Sequence, residues 1–141
     1  MKTPARIVGV LTFALAPAAL LAQGGAELGQ REYMNSCAQC HGAAADGNGV
    51  MAEFLTKPAP DLTSLQSSNG GVFPVAGLYD VIKGSDMPGA HGTSEMPAWG
   101  ARYDASTPSQ LGEMYSPADR DAFVRGRMLA LIEHLSTLQQ P

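Results

Sequence analysis

Cys37-Ala38-Gln39-Cys40-His41 decides how this chain is read, because it holds both cysteines and one of the three histidines in 141 residues. Four chemistries compete for it. A structural disulfide is the ordinary fate of two cysteines in an exported chain, but so short a loop constrains little of the unfolded state. A thioredoxin-like dithiol needs a βαβ setting, and no such pattern surrounds the motif. Zinc needs four ligands, so Cys37, Cys40 and His41 would have to recruit His91 or His134 from far along the chain. Covalent haem attachment has C-x-x-C-H as its specific signature. Of the four, haem attachment is favoured by the export signal and the shortage of core residues in the rest of the chain.

The spacing has a physical reason. On a helix, positions three apart share a face, so both sulfurs can reach the two vinyl groups on one edge of a porphyrin. His41, directly after, is then aimed at the iron as its proximal ligand. An imidazole that binds metal through one nitrogen leaves the other N–H wanting an acceptor.

Working outward, the N-terminus carries Lys2 and Arg6, followed by a run from Ile7 to Ala22 that is apolar apart from Gly9, Thr12 and Pro17. This is the pattern of a secretory leader, with a cut expected after Ala22. The run is shorter than the roughly 20 apolar residues of a membrane-spanning helix. Residues 1–22 are therefore assigned to a signal peptide and 23–141 to a single domain. Hydrophobic residues make up 45% of the whole chain. In the mature part, however, Leu, Ile, Val and Phe supply only about 17% of residues, a value that drifts toward disordered compositions. Such a polypeptide needs a staple: disulfides, a metal or a large cofactor. The net charge is −4, and −6 without the leader's Lys2 and Arg6. With no Lys/Arg run, the footprint of a nucleic-acid binder is missing.

Beyond CAQCH, four further pieces stand in a telling order. Gly29, Tyr33 and Cys37 lie at i, i+4 and i+8; then come Pro60-Asp61-Leu62, Met96-Pro97-Ala98-Trp99-Gly100 and Leu131-Ile132-Glu133-His134-Leu135. Together they resemble the class I c-type cytochromes over residues 27–138. The first resembles the family's N-terminal helix, the second its post-haem Pro-x-Leu element, the third its distal Met loop and the fourth its C-terminal helix. The resemblance implies an all-α cytochrome c fold. Crossing N- and C-terminal helices, with one to three shorter ones between, would wrap one haem c held through Cys37 and Cys40. It also implies that the Pro60 carbonyl accepts from His41.

The local pattern predicts helices over 27–40 (with Leu28, Tyr33, Met34 and Cys37 on one side) and 50–56. A third, led by Phe73 and Val75 and built on Leu78, Val81 and Ile82, should stop at Gly84. Residues 84–115 show no convincing periodicity. The last helix is the clearest: Ser116 is an N-cap candidate, Pro117 fits the first position and Asp119 completes a capping-box-like start. Val124, Met128, Leu131, Leu135 and Leu138 follow along one face. Gly126 is expected to allow close packing against the first helix, opposite Gly29.

Met87-Pro88 and Met96-Pro97 each offer a thioether on a proline-stiffened loop. Met96, backed by Trp99-Gly100, is the expected distal iron ligand, with Met87 as the runner-up. Met34, Met51, Met114 and Met128 read as core gap-fillers. His134 is expected to be a packing histidine. His91 reads as a loop histidine, or as a propionate neighbour whose titration would couple to potential. Trp99, Tyr79 and Tyr103 read as packing residues around the cofactor, with propionate bonding as the alternative. No acid/base dyad or Ser-His-Asp spacing is recognisable, so no catalytic residue is expected.

The functional expectation is one-electron transfer, not enzymatic turnover, in a periplasm. Iron is held by His41 and Met96, and redox proteins meet the monomeric, soluble chain through transient interfaces. The alternatives are a dedicated haem subunit of a dehydrogenase or oxidase, and a peroxidase or gas sensor with an open distal site.

Overall fold

The computed structural model describes residues 18–84, 99–112 and 114–141. Regular structure among them is helical throughout: α1 (Ala18–Ser36), α2 (Ala38–His41), α3 (Leu65–Ser68), α4 (Val75–Lys83), α5 (Trp99–Leu111) and α6 (Pro117–Thr137). The expected helix over 50–56 is reduced to a single 3-10 turn at Ala52–Phe54. None of these helices is long and apolar enough to cross a membrane. The all-α expectation holds.

The first and last helices form the centre of the molecule. α6 begins as its sequence predicts: the Ser116 hydroxyl accepts from the Asp119 N–H at 3.3 Å, and Asp119 Oδ2 accepts from the Ser116 N–H at 3.0 Å. The Ser116 hydroxyl, donating to Asp119 Oδ2 at 2.6 Å, and then the Ser116 N–H hold the Asp119 carboxyl below its ordinary range. Val124, Met128, Leu131 and Leu135 are buried along one face, joined by Ile132 and half-buried Leu138. From α1, Tyr33 is fully buried against them. Met34 is exposed, because one residue further along a helix turns about 100° away from Tyr33's face.

The two helices touch through Gly29. A Cβ built there would overlap the Ala130 carbonyl oxygen and stand 2.8 Å from its carbon. Gly126, the other expected partner, plays no part: it is exposed, with nothing within 4 Å of an added Cβ. The contact falls one helical turn later, at Ala130. Since Gly126 only loosens the helix, Gly126→Ala should raise stability by about 1 kcal/mol, read as a higher denaturant midpoint with an unchanged slope.

α4 ends where expected, at Gly84, whose left-handed backbone lets its N–H reach the Asp80 and Val81 carbonyls. It packs on α5 and α6 and contributes Ile82 to the core.

α5 corrects the reading of 84–115 as non-periodic. Its sequence includes Gly100, Ser106, Thr107, Pro108 and Ser109, all weak helix formers. Tertiary contacts override them: Tyr103 and Thr107, one turn apart, are both buried, and the Thr107 hydroxyl donates to the Tyr103 carbonyl at 2.7 Å.

Candidate haem-binding site

The chain turns sharply after α1. The Cys37 N–H donates to the Tyr33 carbonyl, and the N–H groups of Cys40 and His41 both donate to the Cys37 carbonyl, at 3.1 and 2.9 Å. Cys37, Cys40 and His41 therefore occupy a single helical turn. The two sulfurs are not bonded to one another. Burial first, then the Glu32 carboxylate and the Cys40 thiol, push the Cys37 thiol up to about 12. A redox-active dithiol needs the opposite, a thiol easily made thiolate near neutral pH.

His41 is buried, and its Nδ1 lies 3.0 Å from the Pro60 carbonyl oxygen. A carbonyl can only accept, so Nδ1 is the donor, and in the neutral imidazole Nε2 is then the nitrogen with the lone pair. That tautomer is the one a metal requires.

Pro60 is itself held from both sides. Upstream of it, the loop after His41 folds back on the motif: Gly47 donates to the His41 carbonyl, Gly49 to that of Cys40 and Met51 to that of Gln39. Gly49 is required there, since a Cβ would overlap the Gln39 carbonyl oxygen. Downstream, Asp61 Oδ1 accepts from the Thr63 N–H and hydroxyl at 2.7 and 2.6 Å, and Leu62 donates to the Ala45 carbonyl. The C-terminus then clamps the segment. Gln139 donates to the Leu62 carbonyl and accepts from the Gln66 N–H, while Gln140 donates to the Thr63 carbonyl.

The sequence model of the family described as Cytochrome c matches residues 26–125. The chain belongs to the cytochrome c family. As such it is a haem-binding electron-transfer protein, and its CxxC spacing fits covalent attachment. The curated proteins and the solved structures hold no match to it.

The donor set of this cytochrome c suits the group the family carries: two thiols three residues apart, and an adjacent imidazole whose Nδ1 is engaged by a backbone carbonyl. Among the described residues no cluster of three His, Cys, Asp or Glu side chains could hold a metal ion, which leaves the zinc reading without its fourth ligand there. His134, a candidate for that role, instead lies against the Tyr33 ring, centroids 5.5 Å apart, and packs as expected. The Tyr33 hydroxyl donates to the Gly42 carbonyl at 2.6 Å, fixing the exit of the haem turn. Met87, His91 and Met96 lie outside the described residues. Tyr103 is buried, while Tyr79 and Trp99 are partly buried against the core. Among the other methionines only Met128 fills the core. Met34, Met51 and Met114 are exposed, so gap-filling does not describe them.

Burial lowers the pKa of His134. The unfolded state therefore binds its proton first, at the ordinary value near 6.5. The native state should lose stability as pH falls below about 6.5 toward the depressed native value. His134→Phe should flatten the thermal midpoint over that window; an equally steep decline would show that other groups carry it.

Sequence reasoning missed one cluster. Arg127 on α6 forks onto Glu32 of α1, with Nε donating to Oε1 at 2.9 Å and Nη2 to Oε2 at 3.0 Å. Its Nη1 donates to Ser106 Oγ and Gln110 Oε1 of α5. The guanidinium lies 4.6 Å from the Tyr103 ring centroid. A signal was present: Arg127 stands three residues after Val124 and four before Leu131, inside the buried stripe.

Proposed function

We propose that this cytochrome c is an exported one-electron carrier with a single haem c, bonded to Cys37 and Cys40, its iron ligated by His41 and Met96. The observation that carries the reading is the Cys37–His41 turn, which presents two thiols and an imidazole whose Nδ1 is engaged by the Pro60 carbonyl.

The bound haem supplies the ferric–ferrous couple, and everything else falls to the chain. The Pro60 carbonyl favours the Nδ1–H tautomer of His41, which would leave Nε2 free to hold the iron. Tyr33 and the Gln139–Leu62 clamp hold the turn and the proximal segment still, which keeps reorganisation small. Met ligation would raise the potential relative to two histidines. The leader is consistent with periplasmic maturation. A cut after Ala22 would remove the first turn of α1 and leave Gly29 and the rest of its contact with α6 intact. Partners would dock through a small, transient interface.

The deciding experiment is optical. Pyridine denaturation should report one covalent haem per chain, and the oxidised native protein should show a near-infrared sulfur-to-iron band that Met96→Ala abolishes. Persistence of the band would exclude Met96. Ready binding of CO or cyanide by the unaltered protein would move it to the open-site haem enzymes and sensors.

A further inference from the structure

We propose that Glu32 and Arg127 are positioning residues that set the haem iron's potential through their charges, an inference resting on the carrier reading above. Both side chains are about nine-tenths buried, at 10% and 11% exposure, with Nη2 only 2.8 Å from Oε1. Charges so withdrawn from water are weakly screened, and their fields extend into the core. Surface pairs do not reach so far.

The helix that carries Glu32, α1, runs directly into the attachment turn. Glu32 lies on α1 five residues before Cys37, with buried Tyr33 next to it. After burial, its carboxylate is the leading influence pushing the Cys37 thiol up, in keeping with its position about one and a half turns before that cysteine. Arg127 covers Tyr103, a member of the same core cluster as Cys37.

An arginine satisfied at Nε, Nη1 and Nη2 by three side chains from two other helices is not a solvated charge. Pairs of this kind are poor sources of stability compared with apolar packing, which leaves their placement in the core shared with Cys37 in need of another reason.

The consequence has a sign. Oxidation adds one positive charge at the iron. The Glu32 anion favours the oxidised state and Arg127 opposes it. Glu32→Gln leaves an uncompensated cation and should raise the midpoint potential, with His/Met absorption bands unchanged. A unit charge roughly 10 Å away at an effective dielectric near 20 shifts such an equilibrium about tenfold. The double variant Glu32→Gln/Arg127→Gln, which buries no lone charge, should move back toward the parent. Glu32→Asp keeps the charge and should hold the parental potential even where its thermal midpoint falls.

The test is potentiometric titration of the holoprotein with spectra and thermal melts of each variant. An unmoved or lowered potential in red, normally ligated Glu32→Gln overturns the proposal. Should that variant not accumulate, a Glu32→Asp potential displaced from the parent, or a double variant displaced downward, overturns it equally. A parent without covalent haem would instead sink the carrier reading itself.

Discussion

Replacing Cys37 and Cys40 together by Ala should leave a chain with no cooperative thermal transition. The described core explains why. Of its ten buried apolar residues, Tyr33 comes from α1 and Val124, Met128, Leu131, Ile132 and Leu135 from α6; residues 42–84 add only Ala45 and Ile82. Leu62, Phe73, Leu78 and Tyr79 are only partly buried against it, and Val50, Phe54 and Val72 are exposed. A segment of that length, with one helix of nine residues, cannot offset the entropy of being ordered, which is about 1–2 kcal/mol for each residue's backbone. A rigid apolar disc bonded to Cys37 and Cys40 supplies the missing surface. Without it, the whole folding free energy, on the order of 5 kcal/mol or more, should vanish. Circular dichroism at 222 nm would then show a weak signal that slopes without a midpoint. A sharp transition in the double variant would mean that the polypeptide's own core suffices.

What could be seen in the sequence follows chemical specificity. The Cys37-to-His41 motif was legible because its spacing is specific to the family, and the contact of His41 with the Pro60 carbonyl followed once the order of elements resembled it. The Ser116 cap and the α6 stripe were legible because both depend on neighbours within a turn or two. The Glu32–Arg127 pair was not, since its members lie 95 residues apart and Arg127's place in the buried stripe does not name its partner. α5 was hidden for a related reason: Tyr103 and Thr107 become buried through tertiary packing, α6 above all, while the local sequence argues against a helix. Gly126 and Gly29 show the same divide. Both sit in helices and both weaken them, and only the partner surface decides which glycine is needed.

That difference predicts the second large effect. Gly29→Ala should lower stability although it improves helix propensity by about 1 kcal/mol. The new Cβ would overlap the Ala130 carbonyl oxygen, with His134 Cβ also at 3.0 Å. The obstructing atoms belong to the α6 backbone, so no rotamer change relieves them and the helices must separate. Overpacking of this kind commonly costs about 1–3 kcal/mol. Here separation also strains the seam that holds Tyr33 against His134 and Glu32 against Arg127. A net loss of about 2 kcal/mol or more is expected, seen as a lower guanidinium midpoint for the holoprotein. Ala130→Gly in the same chain should not restore it, because the carbonyl remains where it was. Recovery in that double variant would show that the Ala130 methyl, and not the backbone, sets how closely α1 approaches α6.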